Sequence, residues 1–139
     1  MALKASELKV GDTRELVVAD NLTRTQLVMY AGASGDYNPL HSDDKYAKEV
    51  AGYPGVFAHG MLTMGLSGRA VTDWVGDGRL TKYGVRFSRQ VWPGDTLTTT
   101  VRVEALRSED GVSLADFAVS TRNQNGEEVV VGSATARLD

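Results

Sequence analysis

"GMLTMGLSGRAVTDWV", residues 60–75, decides how the rest of the chain must be arranged. Apolar side chains fall around most of its circumference, whereas a helix lying on a surface shows one apolar stripe, so this helix is expected to be buried. Gly65 and Gly68 sit in its interior, where glycine costs about 1 kcal/mol against alanine, and close approach of another backbone would explain them. Met61 and Met64 are read as core. Something has to wrap such a helix.

The segments that follow supply the wrapping. "YGVRF" (83–87) alternates Tyr83, Val85 and Phe87 with Gly84 and Arg86, and "TLTTTVRVEA" (96–105) alternates Leu97, Thr99, Val101 and Val103 with Thr98, Thr100, Arg102 and Glu104. That is the period of strands with one buried face. Two more strands, at about 112–122 and 128–138, are joined across "NQNGEE", a hairpin signal. Upstream, a strand is expected at about 13–19, then a short helix opened by Thr23 and Gln26 at capping-box spacing, carrying Leu27, Tyr30, Ala31 and Ser34, and ended by Gly35. "SDDKYAKEV" reads as a further short helix with Ser42 as its N-cap. Patterning shifts from helix-like to strand-like near residue 80, with no repeat or linker, so residues 1–139 read as one α+β domain. A curled antiparallel sheet around one buried helix is the hot-dog architecture. Such a sheet leaves an edge strand open, which makes a dimer the expected state.

Composition narrows the function. With 42% hydrophobic residues among 139, the chain can bury a core of one domain. Fifteen basic against eighteen acidic residues give a formal charge of −3 without long runs of either sign, which leaves no footprint for nucleic acid. There is no cysteine, hence no disulfide or thiolate metal site. "MALKASELKVGD" has no apolar signal-peptide core and no segment reads as a membrane span, so a cytoplasmic location is expected.

Chemistry concentrates in "SGDYNPLHSDD" (34–44) and "FAHGMLTMG" (57–65), which between them hold both histidines of the chain. A carboxylate and an imidazole, Asp36 and His41, form a pair able to exchange protons near neutral pH. Pro39 fixes its own φ and biases Asn38 toward extended backbone, so the loop is stiffened between them. The alternative is an Asx-turn at Asp36 and a solvated His41. Gly60 would open the buried helix, where unpaired N–H groups face outward and glycine admits a ligand oxygen. His59 reads as a structural residue at that helix entry. A metal is not expected, since a single Asp/His pair falls short of the three protein ligands of a usual catalytic zinc site.

Taken together, "SGDYNPLHSDDKYA" and "FAHGMLTMG" resemble the MaoC-like, hydratase-2 motif of (R)-specific enoyl-thioester hydratases and (3R)-hydroxyacyl-thioester dehydratases. "HGMLTMG", "VTDWVGD" and "YGVRF" are especially similar to catalytic B-type subunits of mycobacterial (3R)-hydroxyacyl-ACP dehydratases. The resemblance implies a hot-dog dimer with the acyl chain between central helix and sheet, Asp36 and His41 as the catalytic pair, and the Gly60 amide polarising the thioester carbonyl. It implies a hydro-lyase without cofactor, acting on acyl-CoA or acyl-carrier-protein thioesters in fatty-acid metabolism and pairing with itself or with a second hot-dog subunit. Asn38, His59 and Ser67 are further candidates for substrate binding. Some relatives carry a serine eight residues after the oxyanion glycine, where this chain has Gly68, with Ser67 just before it. Arg86 and Arg89 could meet carrier phosphates or simply face solvent. Two rival functions share the fold: an acyl-CoA thioesterase, and a non-catalytic acyl-binding partner subunit.

Overall fold

A computed structural model describes residues 3–139, so the first two residues of the expected domain lie outside the described ones. Five strands form one antiparallel sheet: β1 (Thr13–Ala19), β2 (Leu80–Phe87), β3 (Leu97–Glu109), β4 (Val112–Arg122) and β5 (Glu128–Leu138), in the spatial order β1-β3-β4-β5-β2. Two α-helices, α1 (Arg24–Ser34) and α2 (Gly60–Val75), precede β2. Single turns cover Ala5–Glu7, Pro39–His41 and Tyr46–Val50.

Tight turns set the register of the middle strands. Asp110 and Gly111 both take positive φ, 52° and 79°, which suits a two-residue hairpin and brings Glu109 opposite Val112. The β4–β5 turn is held by the Asn123 side chain, whose oxygen accepts the amides of Asn125 and Glu127. From these turns the inward alternation of β3 places Leu97, Thr99, Val101 and Val103 at 0% exposure, as the pattern in the sequence requires.

Helix α2 lies on the sheet. Leu62, Ala70, Val71 and Val75 pack into a continuous core with Val101, Val103, Phe117, Val119, Val130, Ala134 and Ala136. The sheet covers only one side, however, and the expectation of an all-round buried helix is corrected accordingly. Met61 is 58% exposed and Met64 only partly buried, so neither is the core residue expected. Gly65 faces open space. Gly68 is needed, but by an aromatic ring rather than a backbone: a Cβ there would lie 3.0 Å from Cε2 of Tyr83, whose hydroxyl donates to the Met64 carbonyl at 2.7 Å. Phe87, expected on the inner face, leaves β2 half exposed and lies over Gly60.

Thr23 caps α1 by accepting the Gln26 amide, and Gly35 ends it in the left-handed region at φ 76°, as expected. Ser42 does not cap the next turn. Asp43 does, its carboxylate accepting the amides of Lys45 and Tyr46, and the turn continues as a π-type turn rather than an α-helix. The neighbouring Asp44 accepts the Val56 amide at 3.1 Å and pairs with Arg24 at 2.7 Å, which ties α1 and the 42–50 segment to the stretch leading into α2.

Candidate active site

The loop between α1 and the Tyr46 turn is built from two consecutive side-chain-to-backbone bonds. Asp36 accepts the Asn38 amide at 3.2 Å, and Asn38 in turn accepts the Leu40 amide at 3.0 Å, while Pro39 occupies the first position of the turn. Asn38 has ψ 124°, the extended geometry that a following proline imposes. The Asx-turn alternative is therefore real, and it coexists with chemistry: one Asp36 carboxylate oxygen shapes the loop, and the other makes no bond to the protein among the described residues. Asn38 is exposed, with its side-chain oxygen committed to the turn.

His41 is held from behind. Its Nδ1 lies 2.6 Å from the Phe57 carbonyl, and since a carbonyl can only accept, Nδ1 carries the proton and Nε2 presents a lone pair. Phe57 also packs edge-on against the ring, at 5.2 Å between centroids. The half-buried imidazole therefore has one defined tautomer and one orientation.

His59 joins this pair from a different segment. It is 1% exposed, stacks on His41 at 3.8 Å with 25° between the rings, and meets Tyr30 edge-on at 4.8 Å. Its Nε2–H donates to the Asp36 carbonyl at 3.1 Å, and its Nδ1 is buried without a partner. One donor atom from each of Asp36, His41 and His59 lies within 4.8 Å of the others. Three donors thus converge where a lone Asp/His pair was expected. Their geometry suits proton transfer better than metal binding, because the lone pairs of stacked rings lie in two nearly parallel planes about 3.8 Å apart, and a metal ion cannot sit in both planes at once.

Next in the chain comes Gly60, the first residue of α2. Its N-cap, His59, makes no side-chain capping bond, since its ring is turned toward Asp36 and His41. The Gly60 amide, as the first of the helix, is likewise without an acceptor among the described residues, at the positive end of a sixteen-residue helix. Gly60 lines a cavity of about 310 Å³ whose wall includes Phe57, Thr63, Phe87, Arg89 and Val130. Arg89 reaches Glu127 at 3.0 Å, and Arg86 points to solvent from the β2 edge. Ser67 lies elsewhere: fully buried against the sheet, its hydroxyl is 2.6 Å from that of Thr121, which is 2.7 Å from that of Thr99.

Sequence reasoning missed the Phe57 carbonyl and the His41–His59 stack. The first had no signal, because any backbone can offer a carbonyl. The second had a weak one, since a histidine beside the helix-opening glycine stands next to the other expected site groups.

An antiparallel five-stranded sheet folded over a central helix, with an Asp/His pair above that helix's N-terminus, defines the class: a hot-dog domain, its sheet not closed into a barrel. Residues 5–125 match the MaoC like domain, and the chain belongs to that family. It is 36% identical over 115 residues to 3-hydroxyacyl-thioester dehydratase Y of Mycobacterium tuberculosis, covering 81% of this chain and 38% of that protein. Among solved structures it superposes with a TM-score of 0.87 on the unliganded R-hydratase PhaJ1 of Pseudomonas aeruginosa, at 29% identity over 99% of this chain and 86% of the other. A chain of the ChsH1-ChsH2 complex of M. tuberculosis follows with TM-score 0.79 and 27% identity, over 94% and 98%. The chain spans about a third of the length, or less, of the curated relatives it matches.

Proposed function

We propose that residues 1–139 form a single catalytic domain that adds water reversibly across trans-2-enoyl thioesters, the reverse being dehydration of (3R)-3-hydroxyacyl thioesters. The observation carrying this reading is the convergence of Asp36, His41 and His59, the last of which leads directly into Gly60, whose amide is unpaired among the described residues. A water gripped between the Asp36 carboxylate and His41 Nε2 loses a proton to the pair as its oxygen bonds to C3. The double-bond electrons move toward the thioester carbonyl, whose oxygen the Gly60 N–H stabilises, and the pair returns a proton to C2. Every atom of the water ends in the product, so no cofactor enters the balance.

The acyl thioester would enter past Phe87 into the cavity at Gly60, with Arg89 in its wall for the phosphates of CoA or an acyl-carrier protein, whereas Arg86 lies outside that wall. Names of the relatives support the substrate class, one being a hydroxyacyl-thioester dehydratase and one an R-hydratase. Pairing with a second hot-dog chain, identical or different, belongs to the same proposal: β1 and β2 are open edges, and Met61, Gly65 and Phe87 form an uncovered face. A cytoplasmic setting is also part of it. No helix among the described residues is long and apolar enough to cross a membrane.

The deciding experiment follows the loss of enoyl absorbance with trans-2-enoyl-CoAs of graded chain length on the purified chain alone. Hydration supports the reading. Release of free thiol instead would make it a thioesterase, and activity appearing only after co-expression with another hot-dog chain would make it a partner subunit.

A further inference from the structure

We propose that His59 is the positioning residue that locks Asp36, His41 and the Gly60 amide into one arrangement; this rests on the acid–base reading of Asp36 and His41. Two segments supply the site, residues 34–44 and 57–65, and the His59 side chain, on the second, touches both Asp36 and His41 on the first. Its ring face covers His41 at 3.8 Å, its Nε2–H holds the Asp36 carbonyl at 3.1 Å, and its backbone leads directly into Gly60. Loss of either contact would free an exposed loop.

The burial of His59 is otherwise hard to account for. At 1% exposure with an unpartnered Nδ1, the imidazole leaves a polar atom unsatisfied that a phenyl ring of similar shape would not. Core packing alone would favour phenylalanine. What the imidazole adds is the donor to Asp36, obtained at the expense of a capping bond on α2 and of a satisfied Nδ1. His41 is fixed in its plane by Phe57 and across its face by His59, and one donor atom from each of Asp36, His41 and His59 lies within 4.8 Å of the others before any substrate arrives. A displacement of about 1 Å there is worth on the order of a hundredfold in rate.

Two variants separate the two contacts. His59→Phe keeps a stacking ring and removes the donor; His59→Gln keeps a donor and removes the stack. We expect each to lower kcat roughly ten- to a hundredfold with KM changed less than about twofold, in protein that remains folded at the assay temperature. In the His41→Gln background the stack has lost its target, so adding His59→Gln should cost nothing further, whereas a residue that merely supports the fold would cost the same in both backgrounds. Independently of activity, the ring protons of His41 should carry an upfield ring-current shift in the NMR spectrum that is lost in His59→Gln and kept in His59→Phe. Near-wild-type kcat in both variants, loss only in proportion to unfolding, additive losses on His41→Gln, or an unshifted His41 ring would each overturn the proposal. If the wild-type protein does not hydrate enoyl thioesters at all, the acid–base reading fails while the ring-current measurement still decides whether His59 orders His41.

Discussion

Asp36 and His41 differ in how much of each side chain is already committed, and that sets what their substitution should do. Asp36 uses one carboxylate oxygen to turn the loop, a task asparagine can also perform, so Asp36→Asn should keep the fold and lose at least about a hundredfold in turnover. His41→Ala should lose as much, since the water would then be held by the Asp36 carboxylate alone. Hydration rates of both variants, with circular dichroism as the control, check this; near-wild-type turnover removes that residue from the mechanism. Gly60 tests the electrostatic part. A Cβ there would meet Cζ of Phe87 at 3.2 Å, but Phe87 is 49% exposed and can swing aside, so Gly60→Ala should fold normally. Crowding of the carbonyl oxygen should lower turnover, and Gly60→Val should do so by roughly 10²–10³, the range of a removed oxyanion donor. Melting curves run beside the kinetics separate this from simple unfolding.

Among the elements, α2 and the strands beneath it share a polar seam inside an apolar core. Thr121 bonds both Ser67 and Thr99, so Thr121→Val strands two buried hydroxyls, while Ser67→Ala strands one at most. We expect Thr121→Val to cost about 1–3 kcal/mol in chemical denaturation and the triple change Ser67→Ala, Thr99→Val, Thr121→Val to recover most of it. The loop side of the site depends on Asp44. The hydrogen bond from Arg24, and then that from the Val56 amide, hold its carboxyl below the usual carboxylate range. A folded value below the unfolded one of about 3.9 means that its stabilisation is complete above that pH and lost as pH falls through the folded value. The melting temperature should therefore drop less between pH 6 and 3 in Asp44→Asn than in wild type. An equal drop would show that Asp44 does not govern the acid limb. These elements were unevenly legible in the sequence. The strands at 13–19, 112–122 and 128–138 and helix 60–75 fall where period and turn residues put them, because a half-buried strand and a packed helix leave a repeat in the side chains. Ser42 and Asp43 are both good caps, and nothing in composition marks a π-type turn, so that boundary was not legible. Nor was the exposure of Met61, which depends on how far the sheet wraps. At the site, Asp36, His41 and Gly60 were readable as reactive types, but the stack of two rings eighteen residues apart, His41 on His59, exists only in the folded chain.

As a whole, the molecule is finished on one side and open on the other. Gly65 faces outward from α2 with nothing within 4 Å of its added Cβ, so Gly65→Glu is harmless to an isolated chain and disruptive to an assembly built on that face. Light scattering should show two chains together in the wild type and one in Gly65→Glu; a stable, active wild-type monomer would rule the pairing out. The strand order has a consequence of another kind. The middle of the sheet, β3-β4-β5, is a meander of neighbours in the chain, but its flanks come from residues 13–19 and 80–87, made earlier and carried far along the chain before their partners exist. During synthesis the apolar α2 and the whole Asp36–Gly60 region must therefore wait, unsupported, until strands that contribute nothing to the chemistry have emerged and paired. The nascent chain is most vulnerable to aggregation in that interval, and cellular yield should depend on the rate at which the β3–β4 hairpin closes more than on any residue of the site.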